Sequence, residues 1–157
     1  MTLRPAVLLL LALAACARPP AEAPPPPSSG LQAGASPEMR RMIRAAAQEL
    51  DIPEALIHRV IQRESDYNPA ARNGPYMGLM QILPQTARTM GYEGTDAGLL
   101  DPMTNLRYAG RYLRGAWIVA DGDMDEAMGW YARGYYYEAR NRCLLVETGL
   151  RDSEVRC

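Results

Sequence analysis

An apolar stripe that ends in an acid is the feature that most constrains the fold of this chain. Ile57, Val60 and Ile61 recur at helical spacing, and Glu64 occupies the next position on the same face. The pattern predicts a helix whose buried side terminates in a carboxyl group. Because loss of water disfavours a charged carboxylate, we expect Glu64 to lie in dry surroundings and to serve as a general acid.

Helical periodicity continues through the rest of the chain, and no stretch alternates between apolar and polar residues as a strand does. The 157 residues, 48% of them hydrophobic, are enough for one domain with a core. We therefore predict an all-α fold. Helices are expected at about 38–50, 53–65, 84–90, 102–120 and 124–133.

Acidic residues stand before three of these helices, where a side-chain oxygen can accept the first free backbone N–H groups. The predicted N-caps are Asp51, Asp101 and Asp123. Turn dipeptides between residues 66 and 77 predict a loop beside Glu64, and a second loop is expected to run up to residue 100.

The first residues predict export and attachment to a membrane. Residues 1–15 combine Arg4 with an apolar run too short to cross a bilayer and small residues before Cys16, which is typical of a signal peptide. Residues 13–16, LAAC, resemble the lipobox of bacterial lipoproteins, which implies a lipid on Cys16. By the same resemblance, Ala17 after the cysteine favours the outer over the inner membrane. The proline-rich composition of residues 16–37 predicts a periplasmic tether. The alternative is a soluble exported protein in which Cys16 is incidental.

Charge and cysteine usage exclude some functions. A net charge of -1 and a pI near 5.9, with no basic run, give no electrostatic basis for binding nucleic acid. No metal or cofactor is expected, and the cysteine spacing does not suit zinc. Once Cys16 is assigned to lipid, Cys143 and Cys157 remain, and disulfides persist in exported proteins. We expect these two to pair and to close the tail at 143–157; two free thiols are the alternative.

Several short motifs occur in the order and spacing of one enzyme family. They are ES at 64–65, YNP at 67–69, GLMQI at 78–82, LDP at 100–102 and YL at 112–113, with Pro84, Thr86 and Asn105 between them. Across residues 55–134 the chain thereby resembles the soluble lytic transglycosylases, which are related to goose-type lysozyme. The resemblance implies a lysozyme-like helical catalytic domain, which we place at residues 38–142.

The resemblance also implies a reaction. Such enzymes cleave the β-1,4 bond between N-acetylmuramic acid and N-acetylglucosamine in peptidoglycan strands and leave a 1,6-anhydro end. Glu64 would protonate the leaving oxygen and then take the proton of the attacking 6-hydroxyl. Hydrolytic glycosidases need a second carboxylate, and neither Asp66 nor Asp101 is suitably placed in the sequence. A hydrolytic muramidase and a non-catalytic peptidoglycan-binding lipoprotein remain as alternatives, and no protein partner is predicted.

The family pattern implies substrate contacts in the loop that follows Glu64. Asn73 replaces a serine that hydrogen-bonds the catalytic acid in many members, and an amide can also donate. Tyr76 could stack on a sugar ring or close the loop over the core. Gly78 should shape the cleft, and Gln81 should bind an acetamido group.

Other residues are assigned by position. Met80 could equally pack in the core or touch sugar, whereas Asn105 should hydrogen-bond backbone. Tyr131 stands where the family has a tyrosine whose hydroxyl approaches the catalytic acid, although the asparagine that follows it in the family is missing here. His58 is expected to face solvent. Arg133 is expected to be an exposed arginine, with peptide-stem or lactyl carboxylates as the alternative contact.

Overall fold

The computed structural model describes residues 34–155 and 157. Its helices are α1 (Pro37–Leu50), α2 (Glu54–Ser65), α3 (Pro84–Thr89), α4 (Pro102–Val119), α5 (Met124–Arg133) and α6 (Tyr136–Asn141). The predicted all-α class is confirmed. None of the helices in this described part is both long and apolar enough to cross a membrane. The predicted signal peptide, Cys16 and the tether up to residue 33 lie outside the described residues.

Helix α4 is the element on which the others pack. Helices α1, α3 and α5 contact it, and its buried face includes Leu106, Ala109 and Leu113 as the apolar periodicity predicted. Glycine permits one close approach, since a Cβ at Gly115 would overlap the hydroxyl of Tyr135. The hydroxyl fills this space and donates a hydrogen bond of 2.8 Å to a backbone carbonyl of α4.

Two of the three predicted caps are confirmed. Asp101 accepts a hydrogen bond from the third residue of α4, and Asp123 does the same for α5, both at 2.8 Å. The prediction for Asp51 was wrong. Because only three residues separate α1 from α2, Asp51 is needed to end α1: it adopts a left-handed conformation (φ 52°) and its backbone N–H donates to the carbonyl of Ala47. Helix α2 follows Pro53 without a side-chain cap.

Four short elements were not predicted. Strands β1 (Arg72–Asn73) and β2 (Tyr76–Met77) pair antiparallel, with Asn73 opposite Tyr76. A 3₁₀ helix at Asp96–Leu100 precedes α4, and α6 follows the stop at Gly134. Strands of two residues are too short to show alternation, and α6 has six residues and no side-chain cap, so the sequence carries no signal for them.

The stripe on α2 packs as predicted, but the expectation for His58 was wrong. Ile57, Val60 and Ile61 have no exposed surface, and neither has His58. The chain turns back after α2, so that the Tyr67 hydroxyl lies 2.9 Å from Nδ1 of His58. On the other side, Nε2 of His58 lies 3.5 Å from the carboxylate of Glu54. Burial lowers the pKa of His58, and the Glu54 carboxylate partly opposes that effect.

A disulfide closes the C-terminal residues 143–157 into a loop. Cys143 and Cys157 form a disulfide with their Cα atoms 5.9 Å apart. Within the loop that this bond closes, Leu145 is fully buried, and the Glu154 carboxylate accepts hydrogen bonds from the backbone of Leu145 and Val146 at 3.2 and 2.7 Å. The residues expected to form a separate tail thus pack on the helical domain.

Candidate active site

Glu64 lies in the last turn of α2 and is less enclosed than its stripe predicted. Its side chain is 26% exposed, and its Oε1 accepts hydrogen bonds from Nε and Nη2 of Arg63 at 2.9 and 2.7 Å. The expectation of dry surroundings was therefore wrong. The reason is local: α2 ends at Ser65 and the chain turns sharply at Asp66 (φ 47°), so no further helical turn covers the carboxylate.

Tyr131, on α5, is a part of the site on which the charge of Glu64 acts. The side chain is buried, and its hydroxyl donates a hydrogen bond of 2.9 Å to the carbonyl oxygen of Met80. Burial raises the pKa of Tyr131 well above its usual value, and the negative charge of Glu64 raises it further. Tyr131 is thus a neutral side chain that lies within the electrostatic influence of Glu64. Its hydroxyl proton is used in the hydrogen bond to the carbonyl of Met80.

Asn105 fixes the backbone of the segment that joins β2 to α3. Its Oδ1 accepts from the backbone N–H of Met80 at 2.9 Å, and its Nδ2 donates to the carbonyls of Met77 and Leu99 at 2.9 and 2.8 Å. The side chain is fully buried. The structural role predicted for Asn105 is confirmed, since three backbone groups of two segments depend on one amide.

Gly78 and Met80 belong to this segment and determine how closely it packs on its surroundings. Gly78 has a φ of +76°, and a Cβ there would overlap both the amide of Asn105 and the carbonyl of Leu99. Met80 has no exposed surface, so its side chain lies in the core, which was one of the two alternatives, and cannot contact a ligand in this conformation. Both residues position the site from beneath.

Gln81 is held in place by its amide nitrogen, while its amide oxygen stays free. The Nε2 atom donates to the carbonyls of Ala71 and Gly78 at 3.1 and 2.9 Å. The Oε1 atom is buried and accepts no hydrogen bond from the described residues. Because an unpaired buried oxygen is unfavourable, this atom is a natural acceptor for a ligand N–H group.

A cleft of about 250 Å³ lies where α5, α4 and the segment before α3 meet. It brings together three of the predicted binding residues, Tyr76, Gln81 and Tyr131. The complete lining is Tyr76, Gln81, Ile82, Leu83, Thr86, Tyr112, Tyr131, Ala132, Arg133 and Gly134. No lining residue is acidic, and Glu64 is connected with the cleft through the effect of its charge on the lining residue Tyr131.

The cleft continues past α3. A wider hollow of about 580 Å³ shares Thr86 and Tyr112 with it and extends to Tyr136 and the tail residues 150–153. Hollows of about 400 and 630 Å³ elsewhere contain none of the motif residues, so volume alone does not identify the site. The continuous groove can hold an extended polymer.

Asn73 does not join the group around Glu64. It is exposed on β1, opposite Tyr76, and no hydrogen bond links it to Glu64 in the described part of the chain. Tyr76 is 42% exposed and lies at the cleft. The hairpin therefore presents the tyrosine to the cleft, and the contact that the family pattern implied for Asn73 is absent from this conformation.

Sequence reasoning assigned no site role to Arg63 or Tyr112. An arginine adjacent to an acid in a helix projects to a different side, and nothing in the spacing signals that it will fold back onto its neighbour. Tyr112 belongs to a motif of the family, and its ring lies 5.5 Å from that of Tyr131. Its place in the third turn of α4, next to the buried Leu113, was the available signal.

A match to a known protein family identifies the kind of enzyme. The model of the transglycosylase SLT domain matches residues 41–142. This range contains Glu64, the segment fixed by Asn105, and Tyr131 with the cleft. Members of this family are lytic transglycosylases that degrade peptidoglycan. The chain belongs to the transglycosylase SLT domain family and is a peptidoglycan-degrading enzyme of the lytic transglycosylase type.

Proposed function

We propose that this enzyme cleaves the β-1,4 bond between N-acetylmuramic acid and N-acetylglucosamine without water and leaves a 1,6-anhydro end, with Glu64 as its only catalytic carboxylate. The observation that carries the proposal is that no acidic residue lines the cleft of about 250 Å³, whereas the charge of Glu64 acts on its lining residue Tyr131. In the adjoining hollow, the one acid among the described lining residues is Asp152, on the tail. Hydrolysis through a pair of carboxylates needs a second one at about 5 to 9.5 Å across the bond.

Glu64 performs two steps in this mechanism. As the acid it protonates the glycosidic oxygen while the bond from C1 to that oxygen breaks. As the carboxylate it removes the proton of the 6-hydroxyl, whose oxygen then bonds to C1 and closes the anhydro ring. The first proton leaves with the N-acetylglucosamine, and the second restores Glu64.

The contacts of Glu64 suit a proton shuttle. Arg63 holds Oε1, whereas Oε2 has no hydrogen bond to the described residues and is free to face the substrate. The guanidinium stabilises the carboxylate that forms once the proton has been given away. Arg63 thus acts on the reaction through Glu64, as a positioning residue.

Two lining residues are proposed to bind the sugars. The exposed ring of Tyr76 offers an apolar face on which a pyranose can stack. The free Oε1 of Gln81 accepts the N–H of an acetamido group. The contact with Gln81 selects an N-acetylated glycan over an unsubstituted one, whereas stacking on Tyr76 accepts either.

The products of wall digestion test the mechanism. Purified sacculi digested by the protein are expected to yield muramoyl ends lighter by one water than reducing ends, measured by mass spectrometry. Reducing ends alone would support the hydrolytic muramidase and contradict the proposal.

We also propose that the enzyme is a periplasmic lipoprotein anchored to the outer membrane through Cys16. The signal-like residues 1–15 and the LAAC segment support this, and a polyproline tether of about twenty residues reaches roughly 60 Å toward the wall. Cys16→Ala is expected to move the protein to the soluble periplasmic fraction. A variant that stays with the membranes would show that the anchor is elsewhere.

A further inference from the structure

Arg133 places an unpaired positive charge at the cleft. It is the last residue of α5, it is exposed, and it lines the cleft with Tyr76, Gln81 and Tyr131. Within residues 34–155 and 157, no carboxylate lies within ion-pairing distance of its guanidinium, whereas Arg63 and Arg59 on the nearby helix α2 are both paired. The charge is therefore available to a ligand.

The guanidinium is also held in position. Its central carbon lies 3.8 Å from the centre of the Trp130 ring, a close cation–π contact. Gly129 makes room for it, since a Cβ at this position would overlap Nη1 of Arg133. A guanidinium fixed against an aromatic face loses less conformational freedom when it binds, and its planar donors match a carboxylate.

The sugar rings of the substrate are neutral in their N-acetylated form, so they offer no charge to this arginine. The carboxylates of peptidoglycan are carried by the peptide stems, which branch from the muramic acid beside the bond that is cut. We infer that Arg133 is a specificity-determining residue that binds a stem carboxylate, so that the enzyme favours strands whose stems carry free carboxylates over strands whose stem carboxylates are neutralised as amides. This inference rests on the proposed function.

Two substrates and three variants test the inference. The substrates are glycan strands with intact peptide stems and the same strands with the stem carboxylates converted to amides. Removal of the stems by an amidase would not serve, because it leaves a free lactyl carboxylate on each muramic acid. The measured quantity is the ratio of kcat/KM for the first substrate to kcat/KM for the second. Arg133→Gln is expected to lower this ratio about threefold to tenfold, the effect of one charge-assisted contact at an exposed site. Arg133→Lys, which keeps the charge, should retain part of the preference.

Arg140→Gln is the matched control. Arg140 lies over the ring of Tyr137 at 5.1 Å, outside the cleft, and its replacement changes the net charge by the same amount. We expect it to leave the ratio unchanged, and thermal unfolding should confirm that all variants fold. Added salt should lower the wild-type ratio and not that of Arg133→Gln.

The outcomes separate this inference from the proposed function. If the wild type forms anhydro ends but Arg133→Gln keeps the full ratio, or the control loses it equally, the assignment of Arg133 is wrong. If the wild type forms only reducing ends on both substrates, the proposed mechanism fails, whatever the ratio.

Discussion

Helix α2 carries a glutamate at each end, and the two have similar immediate surroundings. The side chain of Glu54 is 29% exposed and that of Glu64 is 26% exposed. Each is paired with an arginine, Glu54 with Arg44 at 3.3 Å and Glu64 with Arg63 at 2.7 Å. Exposure and ion pairing therefore do not distinguish the proposed catalytic acid, Glu64, from a structural one.

The two glutamates differ in what lies beyond the ion pair. Glu54 faces His58, a side chain with no exposed surface, across 3.5 Å. The charge of Glu64 acts on Tyr131, a lining residue of the cleft, and raises the pKa of that tyrosine. Glu54 is thus tied to a core histidine and lines a hollow without motif residues, whereas Glu64 acts on a wall of the cleft that contains them. This difference is the basis for proposing Glu64 as the acid that exchanges a proton with a ligand.

The largest expected effect comes from the acid beside the groove. Glu64→Gln keeps the shape of the side chain and removes its proton, so activity on sacculi should fall by about 10² to 10⁴-fold, the usual contribution of a general acid and base. Glycan binding should persist. The rate of release of soluble muropeptides measures the loss.

Glu54→Gln is the matched variant at the other end of the helix. It makes the same chemical change at similar exposure, and the rate should stay within about twofold of the wild type because Glu54 does not line the cleft. Equal losses in the two variants would break the distinction between the ends of α2. An active Glu64→Gln would remove Glu64 from the mechanism.

The second-largest expected effect is a loss of stability in the segment between β2 and α3. Asn105→Ala leaves the N–H of Met80 and the carbonyls of Met77 and Leu99 without their partner in a buried place. The free energy of unfolding should fall by about 2 to 4 kcal/mol, measured by urea denaturation. Asn141→Ala, at an exposed asparagine, should change it by less than about 0.5 kcal/mol. Similar values for both variants would mean that Asn105 does not anchor this segment.

The smallest effect concerns pH at the opposite end of α2. Because burial lowers the pKa of His58 in the folded state, the unfolded chain binds a proton more readily than the folded one below the ordinary value of 6.5. The stability present above that pH is therefore lost as the pH falls through it, at no more than about 1.4 kcal/mol per pH unit. Glu54 reduces the slope because it favours the protonated imidazole.

His58→Gln should flatten this dependence between about pH 7 and pH 5. His58 is the chain's single histidine, so the change in slope can be assigned to it. Unfolding in urea at a series of pH values gives the slope, whatever the absolute stability of the variant. A slope identical to that of the wild type would show that His58 does not titrate differently in the folded state.

Local sequence patterns predicted much of the fold and, within the site, the location of Glu64. The stripe of α4 and the caps at Asp101 and Asp123 follow from neighbours in the sequence, and so they could be predicted. The location of Glu64 at the end of the α2 stripe followed in the same way. The ion pair of Glu64 with Arg63 and the exposure of Glu64 could not be predicted, because they depend on where α2 ends and on how Arg63 folds back.

The failures have the same physical origin. His58 is buried because Tyr67, nine residues later, folds back over α2, and periodicity does not report such a contact. Asp51 could cap the start of one helix or end another, and the short connection between the two helices decided this. The free oxygen of Gln81 is visible only once its amide nitrogen has been placed.

The most direct test of the central claim is to digest sacculi in water enriched in the heavy oxygen isotope and to analyse the new muramoyl ends by mass spectrometry. If Glu64 acts alone and the 6-hydroxyl is the nucleophile, no solvent oxygen enters the product and the ends are anhydro. New ends that are reducing and carry the heavy isotope would show that water attacks the bond, and would contradict the account.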